Sequence, residues 1–78
     1  MSKGMHTISK QEIIRMIHLY KETDMATATM LWIILKQEKD GIIYMPLNKL
    51  LIEARMAQKA GLHAWSRIVT SWAEMAQA

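Results

Sequence analysis

The sequence predicts an all-α fold of about four short helices with a brief extended segment near residues 42–45, assembling as a helical homo-oligomer. Three observations carry this expectation. Apolar residues recur at three- and four-residue spacing along most of the chain, the period that places them on one helix face. Residues suited to helix ends, such as Ser9, Asp24, Pro46 and Gly61, stand where those periodic stretches begin or stop. And Met30-Leu31-Trp32-Ile33-Ile34-Leu35 is apolar without interruption. A helix apolar on every side has to be covered on every side. A chain of 78 residues has little with which to cover it.

One domain is expected over residues 8–78, behind a flexible N-terminal arm at 1–7 that is polar and contains Gly4. At this size folding buries only about 60% of the surface that the unfolded chain exposes, so small scaffolds commonly need a staple. The chain has no cysteine, which excludes a disulfide and suits a reducing, cytoplasmic setting. Self-association is the remaining staple, dimer before tetramer because closed symmetry is the usual outcome, and a hydrophobic content of 51% fits it. The net charge of +3 permits an acidic partner without requiring one. The first residues lack the apolar stretch of a signal peptide, and no apolar run approaches the roughly 20 residues needed to cross a bilayer. No membrane partner is expected.

The elements follow in order. Ser9 with Glu12 three residues on forms a capping box, flanked by Ile8 and Ile13 as a hydrophobic staple, so the first helix should start at Lys10 and run to about Glu22. Ile13, Met16, Ile17 and Tyr20 make its apolar stripe. Thr23 and Asp24 are cap formers that open a second helix from Met25 to about Glu38. Its apolar residues divide into two faces. Ala28, Leu31, Trp32 and Leu35 should meet the chain's own helices, and Ala26, Met30, Ile33 and Ile34 a second subunit. Gly41 is expected to close this helix in the left-handed conformation. Ile42–Met45 is β-branched and aromatic, and Met45 precedes a proline, so it should be extended. Pro46 fits the first position of a third helix that Gly61 closes, with Leu47, Leu50, Leu51, Ala54 and Ala57 inward and Ile52 and Met56 outward. The fourth helix, from about His63, presents Leu62, Trp65, Ile68, Val69, Trp72 and Met75 on a broad apolar face.

Catalysis needs a nucleophile with its base, or paired carboxylates, held around a pocket, and the sequence offers no such constellation. His6, His18 and His63 have no metal-ligand spacing and read as surface residues; the glycines are too scattered for a phosphate loop. No catalytic residue, metal ligand or cofactor is expected, and the chain reads as a non-enzyme.

Two binding functions remain. Ala57-Gln58-Lys59-Ala60-Gly61-Leu62 resembles the turn of a helix-turn-helix, a family that sets Ala four residues before the turn glycine with an apolar residue after it. The order of helix, short strand, helix and helix resembles a winged helix over about residues 46–76. The resemblance implies a recognition helix whose His63, Ser66, Arg67 and Thr70 face the major groove, with Lys49, Arg55 and Lys59 on the backbone. Where that pattern places apolar residues at Arg67, Ser71 and Glu74, this chain has Ile68, Trp72 and Met75, one step late, and it ends where a wing would begin. This is the alternative reading, a truncated DNA-binding protein.

The preferred reading is protein–protein contact. Trp and Met are favoured at interface centres, as rigid anchor and adaptable filler. Trp65 and Trp72, the Ile52/Met56 pair and the Met30, Ile33 and Ile34 face therefore form the expected oligomer or partner interface. In size, helical content and lack of active-site chemistry the chain resembles the small helical inhibitors and antirepressors of temperate phages. That resemblance implies an oligomer that binds a transcriptional repressor and removes it from its operator; it transfers no residue roles.

Overall fold

The structure, a computed structural model, describes residues 4–78. It is mostly helical, in the order β1 (Met5–Ser9), α1 (Lys10–Tyr20), α2 (Met25–Leu35), β2 (Ile42–Pro46), α3 (Leu47–Lys59) and α4 (His63–Gln77). Within the arm expected at 1–7, Met5–Thr7 belongs to a strand, while Met1, Ser2 and Lys3 lie outside the described residues. β1 forms because it has a partner, a long-range pairing that local polarity does not encode. The two strands pair antiparallel, and Leu47 N–H to Gly4 C=O and Lys10 N–H to Gly41 C=O, each 2.8 Å, lie at opposite ends of the register. The described residues divide into two compact units, Thr7–Tyr44 and a second made of 4–6 with Met45–Ala78, so the changeover falls inside each strand.

In the first unit α1 begins as its caps require: Ser9 Oγ accepts the Glu12 N–H at 3.1 Å. Glu12 does not complete a capping box; its carboxylate takes Arg15 at 2.8 Å instead. Ile13 and Ile17 are buried, Ile8 half-buried. α1 ends two residues earlier than expected, where the Tyr20 carbonyl accepts from both Thr23 and Asp24 N–H. Asp24 then caps α2, its Oδ1 accepting the Thr27 N–H at 3.1 Å.

α2 stops at Leu35 rather than Glu38. Gln37 N–H to Ile34 C=O and Glu38 N–H to Leu35 C=O are three-residue bonds that tighten and end the helix. The chain then turns tightly between Lys39 and Ile42, which bond each other in both directions at 2.8 and 3.1 Å. Asp40 (φ 55°) and Gly41 (φ 82°) supply the two left-handed residues that such a two-residue hairpin turn needs. Gly41 is thus a hairpin residue and not the helix cap that the sequence suggested. Its conformation is the expected one, and its job differs.

In the second unit Pro46 precedes α3 and α3 ends in a Schellman motif. Leu62 N–H bonds the Ala57 carbonyl (2.9 Å) and Gly61 N–H the Gln58 carbonyl (3.2 Å), with Gly61 at φ 76°. α4 packs on α3. Leu50, Ala57, Trp65, Val69, Trp72, Ala73 and Ala76 form the buried centre of this unit with Met45. Gly4 joins both helix ends: its N–H donates to the Ala76 carbonyl at 2.7 Å, and its carbonyl accepts from Leu47 N–H. Those two groups are among the backbone partners that a helix end leaves unsatisfied.

Candidate functional site

The residues with functional potential lie on the outward faces of three helices. α2, in the first unit, has no charged side chain from Met25 to Leu35. Its buried stripe is Thr27, Ala28 and Leu31, with Met30, Ile34 and Leu35 half-buried beside it. The opposite face leaves Met25 at 66%, Trp32 at 53% and Ile33 at 48% exposure, around Ala26 and Thr29. This turns the expected division of the helix. Trp32, expected inward, is outward, while Met30 and Ile34 lie along the boundary of the patch that Ile33 shares. The buried side is fixed by a polar residue, Thr27, at 1% exposure. A small Thr–Ala pair admits closer helix packing than an indole does, and the Asp24 cap holds Thr27 in place.

α3, in the second unit, buries Leu50 and Ala57, whereas Leu51 is exposed and not part of the inward stripe. Ile52 and Met56, about 60% exposed each, face outward, and the exposed Lys49, Arg55 and Lys59 share that side. Its single acid, Glu53, is half-buried and accepts the Trp65 indole N–H at 3.0 Å. That bond was not anticipated; a lone Glu twelve residues before a Trp carries no local signal.

α4 buries Trp65 and Trp72 at 0% and 5% exposure. Both belong to the interior of the unit, whereas the sequence placed them in an oligomer or partner interface. Their rings meet edge-to-face with centroids 5.8 Å apart, a favoured arrangement that adds to their burial. His6 stacks on Trp72 at 6.2 Å, and burial lowers its pKa from the ordinary 6.5. It is half-buried and not the surface residue its place in the sequence suggested. His18 and His63 are exposed. The outward side of α4 carries His63, Arg67 and Thr70 exposed and Ser66 half-buried, which brings the four residues of the nucleic-acid reading to one helix face. Met75, expected inward, is exposed; Ala73 and Ala76 take the inward positions.

Among the described residues no group of three or more His, Cys, Asp or Glu side chains could hold a metal ion, and no helix is long and apolar enough to cross a membrane. Comparison with protein-family models, curated proteins and solved structures found no match.

Proposed function

We propose that the protein is a small non-enzymatic regulator that acts by protein–protein contact, self-associating through the outer face of α2. One observation carries this: an uncharged helix presents Met25, Trp32 and Ile33 on its outer side. Exposed apolar side chains gathered on one helix face mark interaction surfaces, and Trp is the residue type most enriched at their energetic centres. A face without charge meets its own copy across a two-fold axis with no like-charge repulsion. The target of the assembled regulator is a second protein, with a transcriptional repressor the candidate given by the likeness to phage antirepressors. Light scattering coupled to size exclusion tests the assembly. The full chain should run as a dimer or larger at micromolar concentration, and Trp32→Glu/Ile33→Glu should run as a folded monomer. A wild-type chain that is monomeric at that concentration ends the reading.

A second reading, DNA binding by α4, is favoured by the shared face of His63, Ser66, Arg67 and Thr70 behind a glycine turn. One Arg and no Lys on that helix supply little phosphate attraction, so binding would be weak and salt-sensitive. A gel shift with non-specific duplex at low salt, lost on Arg67→Ala, would place this reading first.

A further inference from the structure

The outer faces of α2 and α3 are both apolar, yet their charges differ. α2 has none. On α3 every exposed charge is positive: Lys49, Arg55 and Lys59, because Glu53 is turned to the Trp65 indole. At about 100° per residue, Arg55 projects between Leu51 on one side and Ile52 and Met56 on the other, Lys59 follows one turn further along the same line and Lys49 stands beside Met56, so one cation sits inside the apolar patch and two border it. Such a face disfavours its own copy: a two-fold axis would set like charges against each other at the centre of the contact. It suits a bilayer poorly, since sinking Leu51 and Met56 would carry Arg55 and Lys59 with them. Nucleic acid would match the cations and leave three large aliphatic side chains uncovered.

We infer that the outer face of α3, built from Leu51, Ile52, Arg55, Met56 and Lys59, docks a segment of another protein that interleaves Asp or Glu with apolar side chains. This rests on the reading of the protein as a protein-binding regulator and names the surface and the chemistry of its target. The α2 face joins copies of this chain; the α3 face receives the partner. Apolar contacts supply most of the affinity, and the carboxylates opposite Arg55 and Lys59 supply selection against other helices.

Three fluorescent helical peptides test this on the full-length protein: an amphipathic peptide with Leu/Ile and interleaved Glu, a version with Lys in place of Glu, and a scramble of the acidic one with equal charge but no apolar face. The acidic amphipathic peptide should bind by fluorescence anisotropy at least tenfold more tightly than either control. Arg55→Glu/Lys59→Glu should weaken it about tenfold and reverse the preference toward the Lys peptide. Ile52→Glu/Met56→Glu should abolish binding while circular dichroism and oligomer size stay as in the wild type. Equal binding of all three peptides, or acidic-peptide binding that survives the charge reversal, overturns the inference. So does retention of duplex DNA or anionic phosphatidylserine vesicles in place of the peptide. The self-association reading fails separately: a monomeric wild type that still selects the acidic peptide removes the α2 dimer and keeps the α3 site.

Discussion

α2 and α4 are the two most apolar of the four described helices, both carry tryptophan, and they treat it in opposite ways. α4 sorts its residues by period: Trp65, Val69, Trp72, Ala73 and Ala76 go in, and His63, Arg67, Thr70 and Glu74 stay out. α2 has apolar residues all around and no charge to mark an outside. Its orientation is settled by side-chain size, small Thr27 and Ala28 inward, and the indole of Trp32 is left in solvent. Hydrophobicity alone therefore does not place a tryptophan. What places it is the contrast with the other side of its own helix, and where contrast is missing, fit decides.

The comparison breaks most sharply at the tryptophans themselves. Trp65→Ala should cost about 3–5 kcal/mol in urea unfolding, since it empties a fully buried site and takes the indole donor from Glu53. Trp32→Ala, at a concentration where the chain is monomeric, should cost under about 1 kcal/mol, as for other exposed positions. Equal losses would mean that Trp32 is core. Within α2, Leu31→Ala should lower stability by about 2–5 kcal/mol. Ile33→Ala should lower it far less and instead weaken self-association in sedimentation velocity. Losing the α2 cap is a smaller test: Asp24→Ala should cost about 1 kcal/mol, read in the same urea titration.

The smallest effect is a pH dependence in the unit of α4. Burial holds the His6 pKa below 6.5, so the unfolded chain takes up a proton before the folded one does. Stability should be level above pH 6.5 and fall as pH drops below it toward the folded-state value. The chemical-denaturation midpoint, followed from pH 8 to pH 5, should show this slope, and His6→Phe should remove His6's share while keeping the stack on Trp72. A slope that His6→Phe leaves unchanged would assign the pH dependence elsewhere.

Much of the fold was legible because its boundaries are local chemistry. Ser9, Asp24, Pro46 and Gly61 each satisfy or omit specific backbone groups at a helix end, and α1, α2 and α4 start at Lys10, Met25 and His63 as expected, whereas Pro46, expected as the first residue of α3, is extended and ends β2, so α3 starts at Leu47. The extended character of Ile42–Met45 was legible from branching and from the proline that follows. Its partner strand was not, because Met5–Ser9 acquires strand conformation from residues some forty positions away. The end of α2 was obscured for a related reason: Asp40 and Gly41 fit either a helix cap or a hairpin turn, and only pairing selects the turn. Of the candidate faces, the outward set on α4 and the Ile52/Met56 pair on α3 followed from periodicity. The α2 face could not, since a helix without polar contrast has no phase to read. The bond from the Trp65 indole to Glu53 depends on which helices meet, and spacing within one helix does not carry that.

The bonds at Gly4 bear on the order in which the molecule can be completed. The Gly4 N–H and its partner, the carbonyl of Ala76, stand about seventy residues apart in the chain, so that bond cannot form until α4 has been made. Thr7–Tyr44 has the contacts internal to it within reach once residue 44 has emerged, before the other unit is whole. Gly4 therefore finds both its partners, Leu47 and Ala76, only after α3 and α4 have followed it in the chain. Trp65 and Trp72 lose their exposure as α3 and α4 close, and the stack of His6 on Trp72 completes the cover when β1 comes back.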